Sequence, residues 1–326
     1  MADTTCIVCE CNAGLGNTGT DCSPLQKAAY SLIGVPLYQS DGVTRNGINL
    51  ETDVLNAAYF TALINQADIS KRWFPYPAIK NVEDVRGENQ TEEFTDKTLV
   101  FVTEGARAFK GWIVGRDAQP VLKGKIETSR CVQMGYYVVD LSGNLIGSIS
   151  SDGTKLYPIQ VDENSVAAMF IKPTDSTIQK LQLQFNWHPV EKDENLRMIT
   201  CSELTGVSLL SLRGLLDVCS EVSSITNTSF RIAMNTSYGT VLNPVRVEGL
   251  VITDFVSSVT AATSKLRNQT DSADVTISSV TEVSGQDGVY DVVFPAQDSD
   301  TIIVKVIKTG FDFQCVEDAP VVLPAT

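Results

Sequence analysis

The residues able to do chemistry are few and unevenly placed. Four of the eight cysteines, Cys6, Cys9, Cys11 and Cys22, lie in the leading stretch "CIVCECNAGLGNTGTDC". Thiolates at C-x2-C spacing make half of a structural zinc site, whose second half is normally another closely spaced pair. Here the second half is irregular, because ten residues separate Cys11 from Cys22. Two readings stay open: a structural zinc held by Cys6, Cys9, Cys11 and Cys22, or an N-terminal loop of free thiols. A catalytic zinc would want imidazole or carboxylate ligands around an open position, and the leader supplies no such set.

His188 is the one histidine, so a nucleophile–base triad has a single candidate base. It stands in "FNWHPV", directly before Pro189, where it reads as a strand end with its ring beside Trp187. The glycines of "GLGNTG" follow no strand and precede no Walker lysine, so they do not make a phosphate loop. Asp152, Asp162, Glu163 and Asp175 read as turn or strand-end carboxylates without the spacing of an acid–base pair or a calcium loop. No enzyme is read from these residues.

With 43% hydrophobic and 20% charged side chains, the 326 residues read as a globular chain of about two domains. The net charge is −14 and no basic run occurs. That weighs against a nucleic-acid grip and against an anionic membrane as partner. No apolar run reaches the roughly 18 residues of a membrane span. The start, "MADTTCIVCEC", has neither a basic n-region nor a long apolar stretch, so no secretory signal is read. Folding in a cytoplasm is expected, where thiols stay reduced, which counts against a disulfide framework.

Ser23 as N-cap, Pro24 at the first turn and Gly34 as stop predict a helix over 23–34. A second is expected over 52–69 behind a Thr52 or Asp53 cap, with Leu55, Tyr59, Ala62 and Ile64 facing inward. Residues 72–95 read as an extended arm, since Pro75 and Pro77 exclude a helix while Trp73, Phe74 and Tyr76 need cover. Strands then follow closely. The clearest, Leu181–Trp187, alternates with a strict period of two. A Ser/Thr-rich stretch near 220 reads as a linker or first strand edge, and short strands beyond it suit an immunoglobulin-like sandwich. The expected fold is mainly β. Residues 1–222 form an antiparallel β-sandwich or barrel with two flanking N-terminal helices; 223–326 form an Ig-like β-sandwich with a loose tail.

The run from "KRWFPYPAIKNV" through "EEFTDKTLVFVTEGARAFKGWIVG" and "GYYVVDLSGNLIGSI" to "QKLQLQFNWHPVEKDENLRMIT" resembles structural proteins of tailed bacteriophages infecting Bacteroidetes. The resemblance is to major tail tube proteins in particular and covers about half the chain. It implies a virion protein assembled in the host cytoplasm, whose sheets join edge to edge into a hexameric ring. The arm 72–95 would stack rings by burying Trp73, Phe74 and Tyr76 in a neighbour, and the Ig-like domain would decorate the outer wall. The implied partners are further copies of the chain and other virion proteins, with no membrane. Viral DNA would pass an acidic lumen without specific binding. The cysteine-rich leader and the two N-terminal helices depart from the small tube proteins. They keep open a capsid decoration protein or a head–tail connector ring.

Overall fold

A computed structural model describes residues 25–240, 242–258, 263–317 and 319–324. The chain divides into two units, Met1–Gly214 and Leu215–Thr326. The expected boundary at 222 falls inside a strand, Leu216–Ser223, which pairs antiparallel with Ser229–Gly239 and so belongs to the second unit.

In the first unit the central sheet runs, in spatial order, Ile48–Asn49, Lys155–Tyr157, Leu145–Ile149, Met134–Asp140, Ala29–Pro36 and Phe74–Pro75. Each of these pairs is antiparallel. A four-stranded antiparallel sheet packs on one of its faces, in the order Ala167–Ile171, Lys180–Asn186, Arg107–Val114, Ile79–Arg86. Leu32, Tyr136 and Val138 meet Ile113, Leu181 and Phe185 in the core between them. Phe109 and Phe185 stack at 4.8 Å, and Tyr136 lies 4.9 Å from Phe185. On the opposite face of the central sheet Trp73 sits 5.0 Å from Tyr137 and 5.9 Å from Phe60. The central sheet is thus covered on both sides, which is why its strands read as unbroken apolar runs.

That double cover explains the first correction. Residues 29–36 form a strand where a helix was expected over 23–34. Every residue from Ser31 to Leu37 is buried, so a strand with two covered faces shows no period of two. Gly34 ends no helix; a methyl group there would press on Met134, Tyr136 and Tyr76 at 3.1–3.2 Å. It lets the Tyr76 and Tyr136 rings approach edge to face at 5.6 Å. The second expected helix is real but short, Ala57–Ile64. Asn56 caps it by accepting the Tyr59 N–H at 2.9 Å, whereas Asp53 accepts the Asn49 N–H and the Tyr59 hydroxyl. A further helix, Pro120–Thr128, packs against Ala167–Ile171.

The second unit is a β-sandwich. One sheet carries Ser279–Glu282, Val289–Val293, Ser229–Gly239, Leu216–Ser223 and Phe311–Asp312 in that order, with Pro244–Arg246 on a side path. The other carries Ala273–Thr276, Lys265–Asn268, Thr301–Ile303 and Val321–Val322. Phe230, Ile232, Tyr290 and Val292 face Leu266, Val275, Ile302 and Val321 across the core. Cys219 and Cys315 are joined in a disulfide between the first strand and the short helix Gln314–Glu317. This corrects the expectation of reduced thiols. Residues distant in sequence are neighbours here, a placement that cysteine spacing does not reveal. Val321–Val322, in the segment expected to be loose, pairs with Thr301–Ile303.

Candidate assembly surface

A run of consecutive exposed apolar residues in the first unit grows out of its four-stranded sheet. Ile79–Arg86 and Arg107–Val114 pair along the sheet edge, and the chain continues into a two-stranded hairpin of Gln90–Glu93 and Leu99–Thr103. Where the hairpin leaves the sheet, the Gly87 N–H donates to the Ala106 carbonyl at 2.8 Å. The two backbones approach so closely that a methyl group at Gly105 would lie 2.1 Å from the Gly87 carbonyl oxygen. Only glycine fits there without displacing the backbone.

An ion-pair knot holds this root. Arg107 makes a two-pronged contact with Asp84 at 2.6 and 2.8 Å and reaches Asp193 at 3.2 Å. Arg86 bridges Asp193 at 3.0 Å and Glu104 at 2.9 Å. The Trp187 indole N–H donates to Asp84 at 3.1 Å, and the Arg107 guanidinium lies 5.4 Å from that ring. Paired arginine–carboxylate forks fix direction as well as charge, so the knot aims the hairpin. At the tip Asp96 accepts the Thr98 N–H at 3.0 Å. That hydrogen bond, chiefly, holds the Asp96 carboxyl below its ordinary range.

Every residue of the two hairpin strands is exposed. Leu99 is 65% and Phe101 56% exposed, and Phe94, Val100 and Val102 are exposed with them. Thr91 pairs with Phe101 and Glu93 with Leu99, so one face of the ribbon carries two large apolar groups and a carboxylate. Consecutive exposed apolar residues on a ribbon with open edges normally mark a binding surface.

The outer face of the four-stranded sheet has a different character. Lys180 lies 6.0 Å from the Trp112 ring, Gln182 donates to Gln184 at 3.0 Å, and Lys110 stands 3.8 Å from Glu83. With Lys80 also exposed, this face is amide-rich and basic.

Trp73, Phe74 and Tyr76 do not form the arm expected over 72–95. Trp73 is 3% exposed inside its own unit, and Phe74 and Tyr76 are partly buried. Phe74–Pro75 pairs with Ala29–Pro36, and the Tyr76 N–H donates to the Leu32 carbonyl at 2.8 Å. Their cover comes from the same chain, and the projecting element lies further on, at 90–103. The signal that could have found it is "TLVFVT", four apolar residues in a row beside "QTEE", which has none.

His188 closes a local turn by accepting the Val190 N–H on Nδ1 at 3.2 Å. Cys6, Cys9, Cys11 and Cys22 lie outside the described residues. Cys201 is disulfide-bonded, and Cys131 is an exposed thiol. Among the described residues no three His, Cys, Asp or Glu side chains gather as a metal site. A shallow groove of about 370 Å3 runs past Arg45, Asp152, Lys155, Tyr157 and Glu191. In it Arg45 lies 4.3 Å from the Tyr157 ring and 3.5 Å from Glu191. The Ser150 hydroxyl, first, and the Thr154 amide hold the Asp152 carboxyl down to about 2.

Among the described residues no helix is long and apolar enough to cross a membrane. Compared with protein-family models, curated proteins and solved structures, the chain matches none.

Proposed function

We propose that this chain is a structural subunit that polymerises through its hairpin, and specifically a tail tube subunit of a tailed-phage virion. On this reading copies form rings, hexameric in the family it resembles, stacked around a conduit for DNA, with other virion proteins as further partners. The observation that carries the reading is the ribbon Leu99–Val102, apolar, exposed and aimed outward from a rigid root. Such a surface costs solubility unless a partner covers it. The four-stranded sheet supports the reading with two edge strands, Ala167–Ile171 and Ile79–Arg86, where neighbouring copies could join. The basic outer face of that sheet does not suit an acidic lumen wall, so the conduit lining would come from another surface or be less acidic than the resemblance implies.

The test is to concentrate the purified chain and view it by negative-stain electron microscopy beside a Leu99→Asp/Phe101→Asp variant. Hollow tubes or stacked rings from the wild type, and single particles from the variant, are expected. Wild-type particles that stay single and join preformed capsids would instead favour a decoration protein.

A further inference from the structure

Resting on the self-assembly proposed above, we infer that the hairpin of one copy docks on the next copy along helix Pro120–Thr128 and the neighbouring edge strand Ala167–Ile171. The segment 88–104 carries Glu88, Glu92, Glu93, Asp96 and Glu104 against Lys97, and of these Glu104 is already paired with Arg86 at the root. Cationic surface is scarce in a chain of net charge −14. Besides the outer sheet face with Lys80, Lys110 and Lys180, it occurs around the helix, where Arg116, Lys123, Lys125 and Arg130 outnumber Asp117 and Glu127 and exposed apolar side chains accompany the charge.

The helix and the edge strand form one surface. They pack together, and Arg130 Nε donates to the Val166 carbonyl at 2.6 Å, fastening the segment after the helix beside the start of the strand. Glu127 answers two cations at once, Lys123 at 2.6 Å and Arg130 at 3.7 Å. Val121, Val132 and Met169 are exposed on these same segments. Apolar groups among ammonium and guanidinium groups complement a ribbon that sets Leu99 and Phe101 beside Glu93.

The two surfaces cannot serve each other within one copy. Ala167–Ile171 and Ile79–Arg86 are opposite edges of the four-stranded sheet, roughly 14 Å apart at three strand spacings. The hairpin continues outward from the Ile79–Arg86 edge, and its residues stay exposed. Two different patches of one chain that fit each other make a head-to-tail contact, which generates rings or filaments rather than a closed two-fold dimer.

A charge-swap series followed by sedimentation velocity and electron microscopy tests this. Glu92→Lys/Glu93→Lys and Lys123→Glu/Lys125→Glu should each raise the concentration needed for assembly at least about tenfold, because like charges then face each other. Combining all four changes should restore assembly, and circular dichroism melts should show each variant folded. If Lys123→Glu/Lys125→Glu assembles like the wild type, or the combination does not restore assembly, the docking site is wrong. The hairpin reading then survives provided Leu99→Asp/Phe101→Asp still abolishes assembly. A wild-type chain that never assembles, or a Leu99→Asp/Phe101→Asp variant that assembles normally, overturns both.

Discussion

Single residues separate what holds the fold from what faces outward. Trp73 packs between Phe60 and Tyr137, so Trp73→Ala opens a cavity in the first unit. Truncating a buried aromatic costs about 3–5 kcal/mol. The expected result is a large drop in the first unit's melting temperature, and selective loss of assembly with an unchanged melt would contradict it. Gly105→Ala should do the reverse. Its methyl group would collide with Gly87 where the hairpin leaves the sheet. Overpacking of this kind costs roughly 1–3 kcal/mol, while assembly, on the proposed reading, depends on where the hairpin points. Sedimentation should therefore show lost polymer with most of the fold kept. In the second unit the Tyr290 hydroxyl donates to the Val247 carbonyl at 2.8 Å and accepts the Leu250 N–H at 3.1 Å. Burial, above all, pushes its phenol up to about 12. The fold favours the neutral phenol, so this stabilisation is complete below the unfolded phenol's pKa of about 10. It is lost as pH rises from there through about 12. Tyr290→Phe leaves two buried backbone groups short of a partner, costing about 1–3 kcal/mol at neutral pH. Denaturant titrations from pH 8 upward should show the variant's stability falling less steeply than the wild type's across that window.

Elements show how far the sequence can be read. The strand Lys180–Asn186 was legible because Leu181, Leu183 and Phe185 face the core while Gln182 and Gln184 alternate with them and bond each other on the opposite, polar face. One covered face produces the period of two. Ala29–Pro36 was not legible for the opposite reason: both its faces are covered, and the Ser23, Pro24 and Gly34 signals mimic helix caps. The hairpin was half legible. "TLVFVTEG" reads as a strand, but four apolar residues in a row look like a buried strand as readily as an uncovered one. Conversely, Trp73 and Tyr76 looked in need of an outside partner because the sequence does not show that Phe60, Leu32 and Tyr137 supply the cover. Local pattern specifies the element; cover depends on contacts distant in sequence, and a candidate assembly site is a statement about cover. The ion-pair knot follows the same logic. Arg107 meets Asp84 and Asp193, which lie on opposite sides of it in the chain. Replacing Arg107 with lysine keeps the charge but loses the two-pronged contact. Arg107→Lys should weaken assembly more than it weakens the first unit's melt, measured by the same sedimentation and melting pair.

Across the whole molecule, covalent links matter beside packing. The first unit has a sheet buried on both faces and a core rich in stacked rings, and its Cys201 is disulfide-bonded; the second is closed by the Cys219–Cys315 link. Cys219 and Cys315 are 96 residues apart in sequence, so their bond constrains nearly the whole of Leu215–Thr326. A crosslink across so long a loop acts mainly by restricting the unfolded chain, and removing a native one typically costs about 2–5 kcal/mol. Cys219→Ser/Cys315→Ser removes both partners together and so leaves neither of them unpaired. By differential scanning calorimetry the variant should melt its second unit at a lower temperature while the transition assigned to Met1–Gly214 stays in place. Limited proteolysis should likewise release the first unit intact before the second survives as a fragment. If both transitions move together, the units unfold as one cooperative body and the separate accounting fails. If neither moves, the link contributes no stability, and Leu216–Ser223 is held by its pairing with Ser229–Gly239 and Phe311–Asp312.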